Sequence, residues 1–131
     1  MTTSKEIVQD IYRALSVGDI AGAFTNIDDH VEWIEAAGFP YGGTYRGRND
    51  VEAGVFKKLA SEWEGWSAVP ADFIADGQTV VVLGQYSGIC RATGKSFTAP
   101  YVHVWKFGGK KVMSFAQHTD TLLVNEAMKA N

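Results

Sequence analysis

FTAPYVHVWKF, residues Phe97–Phe107, decides how this chain folds. Alternate positions Phe97, Ala99, Tyr101, His103, Trp105 and Phe107 fall on one face of an extended strand. That face is an aromatic wall with one titratable group set into it. A second apolar stretch further on carries Gln117, His118 and Asp120. Burying an imidazole or a carboxylate costs several kcal/mol unless it is paired. Polar groups where a sheet normally buries hydrocarbon therefore mark a concave ligand site with acid/base chemistry.

Around this stretch the spacing predicts a meander of four strands: Trp66 to Ala75, Thr79 to Arg91, Ser96 to Phe107 and Lys111 to Gln117. The dipeptides Asp76-Gly77, Thr93-Gly94 and Gly108-Gly109 supply the positive-φ residues that hairpins need. Three hairpins in series make an antiparallel sheet. Val80-Val81-Val82-Leu83 is aliphatic on both faces. One face then meets helices or ligand and the other a second subunit, so a homodimer through the sheet is expected.

The N-terminal half is helical. Ile7, Val8, Ile11, Tyr12 and Leu15 recur at helical spacing between Ser4 and Val17. Gly18 stops that helix, and Asp19 caps a short second one through Ala21, Ala23 and Phe24. His30 to Glu35 reads as a short strand holding Val31, Trp33 and the polar Glu32 and Glu35. Between Ala36 and Gly47, glycines and Pro40 interleave with Phe39, Tyr41 and Tyr45, a loop with the makings of a lid. Asn49 to Trp63 returns to helical period and ends at Gly65, and Thr121 to Ala130 closes the chain as a short helix. Helices first and a curved antiparallel sheet afterwards is an α+β arrangement in one domain spanning residues 1–131.

Composition excludes several classes of function. With 12 basic and 15 acidic residues the net charge is −3, and the lysines and arginines are scattered. Without a basic stripe, neither nucleic acid nor an anionic membrane is expected as a partner. No apolar run approaches the length of a membrane span, and MTTSKEIVQD lacks the apolar core of a secretory signal, so the expected location is the cytoplasm. The single cysteine, Cys90, allows no internal disulfide and reads as a small buried residue. The Cys and His spacing suggests no metal site, and no cofactor is expected.

The phrases SVGD, IDDHVEW, GTYRGRNDV, YSGICRATGKSF, HVWKF and HTDT, in this order, resemble the nuclear-transport-factor-2-like (NTF2-like) superfamily. The nearer likeness is to its SnoaL-like branch of polyketide cyclases and ketosteroid-isomerase-related proteins. The resemblance implies a cone-shaped barrel, with three helices packed on a strongly curved sheet around a deep apolar cavity, and commonly a homodimer. It further implies an isomerase or cyclase that removes a proton next to the carbonyl of a hydrophobic small molecule. Ketosteroid isomerases carry their aspartate base on the strand after the second helix, where this chain has Trp33. Their oxyanion is held by a tyrosine and a protonated aspartate. Tyr12 lies within about a residue of the first of these positions, and His103 matches the second. In the polyketide-cyclase branch an aspartate near the end of the last strand is the acid/base, and Asp120 resembles it.

The expected catalytic pair is therefore Asp120 as base and His103 as donor, with Tyr12, Trp33, Tyr86, Tyr101, Trp105 and Gln117 lining the ligand site. Strict alternation puts Gln117 and Asp120 on opposite faces. A bulge near His118 to Thr119 would bring both inward. Each assignment has a plainer counterpart: Asp120 as a helix N-cap, His103 as a core histidine hydrogen-bonded to Tyr12 or a carbonyl, and Tyr86 as cover for Gly84 and Gly88. Arg46 and Arg48 read as surface ion-pair partners of Asp50 or Glu52. The rival class of function is a non-catalytic module that binds a small ligand in the same cavity.

Overall fold

The computed structural model describes residues 2–131. Helix α1 (Ser4–Ser16) starts at a capping box: Thr3 accepts from the Glu6 N–H, and Glu6 accepts from the Thr3 N–H. Its apolar stripe buries Ile7, Val8, Ile11 and Tyr12. After the turn at Gly18, Asp19 accepts from the Gly22 N–H and caps α2 (Ile20–Ala23). A 3₁₀ turn, Phe24–Asn26, feeds strand β1 (Ile27–Glu35).

The remaining strands are β2 (Gly43–Arg46), β3 (Trp63–Asp76), β4 (Thr79–Cys90), β5 (Ser96–Gly108) and β6 (Lys111–Thr119). They form one six-stranded sheet in the order β2-β1-β6-β5-β4-β3. The β1–β6 pair is parallel and every other pair is antiparallel. The expected α+β architecture, with a curved and mainly antiparallel sheet, is what the chain adopts. Among the described residues no helix is long and apolar enough to cross a membrane.

Three details depart from the expectation. Residues 36–47 include β2, a four-residue strand paired with β1, which its flanking glycines disguise as loop. The predicted helix from Asn49 to Trp63 is interrupted: α3 (Arg48–Val51) passes through a π-turn (Glu52–Phe56) into α4 (Lys57–Glu62). Trp63 already belongs to β3, where it is fully buried, and Gly65, at φ 63, lies in a break of the β3–β4 register. Finally, the β5–β6 register shifts at Met113, not near His118. Helix α5 (Thr121–Met128) then packs back against β5.

Curvature requires close approach across the sheet. A Cβ at Gly84 would lie 2.4 Å from the Tyr101 ring and 2.5 Å from the Val69 carbonyl oxygen. The Tyr101 ring occupies the space that a side chain at position 84 would need. Gly84→Ala should destabilise the fold by about 1–3 kcal/mol through overpacking, read as a lowered thermal midpoint. An unchanged midpoint would mean that this contact does not constrain the sheet.

Candidate active site

The inner face of the sheet is set by register. Val82, His103 and Gln117 lie side by side across β4, β5 and β6, and Val80, Trp105 and Phe115 form the next row. These rows face α1 and the π-turn, leaving a cavity of about 60 Å³. Its lining includes Tyr12 and Leu15 from α1, Trp33 and Glu35 from β1, Phe39 from the following loop, and Phe56 and Leu59 from the interrupted helix. Trp66, Ala68, Tyr86, His103, Trp105, Phe115 and Gln117 complete the wall on the sheet side. The lining contains no lysine or arginine.

His103 is 5% exposed and its two ring nitrogens are both engaged. Nδ1 lies 2.5 Å from the Tyr12 hydroxyl and Nε2 lies 2.5 Å from the Tyr86 hydroxyl. The Trp105 indole N–H donates to the Tyr12 oxygen at 3.1 Å, and the Gln117 amide donates to the Tyr86 oxygen at 2.9 Å. The Ala36 N–H donates to Gln117 Oε1 at 3.0 Å, which fixes the amide's orientation. Burial, with a smaller contribution from the His118 charge, holds the His103 pKa down at about 3, so the imidazole is neutral. Burial also raises the tyrosine hydroxyls, and for Tyr86 the Glu35 charge adds to it.

Glu35 is the carboxyl in this cavity. It is 4% exposed, and its Oε2 has no hydrogen-bond partner among the described residues. Burial alone pushes its pKa from 4.5 to about 8. The Trp33 indole N–H, two residues earlier on the same face, is likewise buried and unpartnered. A native fold leaves few such groups orphaned. Two in one cavity, one of them a carboxyl whose pKa burial raises to about 8, make this the candidate site of the fold.

A family model for the SnoaL-like domain matches residues 8–115. The chain belongs to the SnoaL-like domain family. Among solved structures, this SnoaL-like chain is similar to an NTF2-like protein from Burkholderia thailandensis E264, at 42% identity. That match covers 98% of this chain and 99% of the other, with a TM-score of 0.96. An NTF2-like protein of unknown function from Burkholderia pseudomallei K96243 is 27% identical over 99% of this chain and 100% of that one, with a TM-score of 0.90. A Catenulispora acidiphila DSM 44928 protein of ketosteroid isomerase-like fold shares the fold at 18% identity, covering 88% and 86% of the two chains with a TM-score of 0.74. No curated protein matches the chain significantly.

The structure gathers Tyr12, Trp33, Tyr86, His103, Trp105 and Gln117 at the cavity of the SnoaL-like fold. Tyr101 stands behind them, stacked on His103 at 4.0 Å between ring centroids and turned toward Gly84. Asp120 is not in the cavity, which corrects the expected pairing with His103. It is exposed, it is the N-cap of α5, and it accepts from the Leu123 N–H at 3.4 Å. The reason is the position of the bulge. With the irregularity at Met113, β6 alternates regularly through Phe115, Gln117 and Thr119, and Asp120 leaves the sheet as a cap. Arg46 pairs with Glu32 and Arg48 with Glu52, all away from the lining. The missed residue is Glu35. Its signal was the alternation Val31, Trp33, Glu35, which places it on the face of the tryptophan.

Two opposed shifts define the pH response. Folded Glu35 holds its proton up to about 8 against 4.5 ordinarily, so the fold loses stability as pH rises through that window. Folded His103 is protonated only at about 3 against 6.5 ordinarily, so the fold loses stability as pH falls from 6.5 toward 3. Each slope is about 1.4 kcal/mol per pH unit. From these two groups, stability should be level between pH 4.5 and 6.5 and decline on either side. Glu35→Gln should remove the alkaline decline and leave the acid one. Thermal midpoints measured across pH would contradict this if both limbs persisted in the variant.

Proposed function

We propose that the cavity is an acid/base site for a small apolar carbonyl compound, and that the protein is an isomerase or cyclase of the SnoaL type. The observation that carries this is Glu35: a buried, unpartnered carboxyl beside a chain of hydroxyls that converges on a neutral imidazole. Glu35 removes the proton next to the carbonyl and returns it elsewhere on the same molecule. With a pKa of about 8 it can both take and give a proton near neutrality, which such a round trip demands. The Tyr86 hydroxyl, supported by His103 and Gln117, faces the carbonyl oxygen and stabilises the charge that develops there. Asp120 has no part in the transfer.

Phe39 stands across the site. A cavity of about 60 Å³ takes water but is smaller than the roughly 300–1,000 Å³ of ordinary ligand pockets. The loop carrying Phe39 therefore moves aside when substrate enters. That loop is held by the Tyr41 hydroxyl donating to Glu62 at 2.6 Å and by Asn125 donating to the Gly38 carbonyl at 2.6 Å. The same narrow, apolar enclosure supports a second reading, in which the protein sequesters a small ligand without turning it over.

Exchange of the α-protons of 3-cyclohexenone in D2O, followed by NMR, separates the two readings. The protein should accelerate exchange, with a rate that rises with pH until Glu35 is ionised near 8. Glu35→Gln should slow exchange about 100-fold or more, and Asp120→Asn should leave it unchanged. Equal rates in wild type and Glu35→Gln would exclude Glu35 as the base, and binding without exchange would favour sequestration.

We further propose a homodimer through the outer face of the sheet. One aliphatic row crosses five strands there: Ile74, Val81, Val104, Ala116 and Ile34. Ile74 is 55% exposed at its end. Sedimentation at micromolar concentration should return a dimer, and a Val104→Lys variant a monomer. A monomeric wild type would remove this assembly.

A further inference from the structure

The hydrogen-bond chain beneath the cavity contains one proton more than its contacts use. Both ends of the chain can only donate. The Trp105 indole has an N–H and no acceptor, and the Gln117 amide is turned NH₂-first toward Tyr86 because Ala36 occupies its oxygen. Between them His103 meets Tyr12 and Tyr86 at equal distances of 2.5 Å. Trp105, Tyr12, neutral His103, Tyr86 and Gln117 thus bring five protons to four contacts. One tyrosine hydroxyl proton is left over.

The tautomer of His103 decides which tyrosine keeps it. With the proton on Nδ1, the ring donates to Tyr12 and accepts from Tyr86, and the surplus O–H belongs to Tyr12. With the proton on Nε2, the ring donates to Tyr86 and accepts from Tyr12, and Tyr86 has the free O–H. Burial keeps the imidazole from taking both protons. The interchange balances with one water in the cavity, which has room for it: Nδ1 returns its proton to Tyr12, the water takes Tyr12's own and gives one of its protons to Tyr86, and Tyr86 hands its own to Nε2.

We propose that His103 is a tautomeric selector: a carbonyl oxygen bound beside Glu35 draws the surplus proton of Tyr86 and fixes the Nε2–H form. Gln117 is the positioning residue that keeps this proton free for the ligand. The inference rests on the reading of the cavity as a carbonyl site and names the form of oxygen it takes, a ketone, enone or quinone oxygen that accepts one hydrogen bond from Tyr86. As that oxygen gains enolate charge the bond strengthens, so the selector favours the transition state over the ground state.

The test is the ring nitrogen shifts of His103 in [¹⁵N]histidine-labelled full-length protein at pH 7. Because His103 meets both hydroxyls at the same distance, unliganded wild type should show both nitrogens averaged between the protonated and bare limits. Excess 3-cyclohexenone should move Nε2 to the protonated limit and Nδ1 to the bare one. Gln117→Glu, without ligand and at a pH high enough to ionise the new carboxyl, should do the same, since a carboxylate at that end accepts the Tyr86 proton and leaves no surplus. Its α-proton exchange should fall at least tenfold with Glu35 intact, while Gln117→Met, which only empties the position, should not lock the tautomer. One unchanging tautomer in wild type with and without the ketone overturns the selector, even if the Gln117→Glu variant fails to fold. A tautomer that answers to Gln117→Glu but not to the ketone upholds the relay and overturns the carbonyl reading of the cavity.

Discussion

The interior of this protein depends on a neutral histidine held at both ends. His103 sits on the central inward row of the sheet, where an unpaired imidazole would be costly. Two tyrosine hydroxyls from different parts of the chain, one on α1 and one on β4, satisfy its two nitrogens. Helix α1 is thereby tied by polar contacts as well as by the apolar stripe of Ile7, Val8 and Ile11. The same contacts line one side of the cavity with hydroxyl oxygens in a wall that is otherwise mainly aromatic and aliphatic. Packing and chemistry share these residues.

Glu35 stands in contrast to that satisfied network. Both ring nitrogens of His103 and the hydroxyls that meet them have partners within the fold, whereas the carboxyl two residues beyond Trp33 has none at Oε2. The protein tolerates this because Glu35 stays protonated through most of the neutral range. A polar atom without a protein partner inside a well-packed domain is uncommon and sets Glu35 apart from the bonded groups on the sheet. The arrangement therefore sets the hydrogen-bonded chain through His103 against a carboxyl and an indole that have no protein partner.

Much of this was legible in the residues. The alternation in FTAPYVHVWKF places His103, Tyr101 and Trp105 on one face, and side-chain period is enough to establish it. The hairpin glycines mark the meander, and the stripe of α1 points Tyr12 inward. Glu35 was missed because it ends its strand and borders a glycine-rich loop, where an acidic residue ordinarily meets water. The same reasoning applied to face and not to residue type would have found it, since Val31, Trp33 and Glu35 alternate together. Asp120 was misplaced for a different reason. Whether β6 bulges at Met113 or at His118 depends on how Lys106 and Phe107 pair across the sheet, a long-range matter that local patterning does not encode. Strand β2 is likewise defined by its partner on β1 more than by its own four residues.

The π-turn at Glu52–Phe56 has a bearing on how such a cavity changes over time. A wide turn holds one residue more than an α-helical turn of the same height, and here it places both Val55 and Phe56 in the wall while Gly54 lies against the Tyr45 ring. Losing one amino acid there would restore regular winding and rotate the residues beyond it by about 100°, changing which side chains line the helical side of the site. The sheet, with its histidine and tyrosines, would be left alone. A single-residue deletion at this turn would thus reshape one side of the cavity while the hydrogen bonds of His103, made by α1 and β4, stay in place.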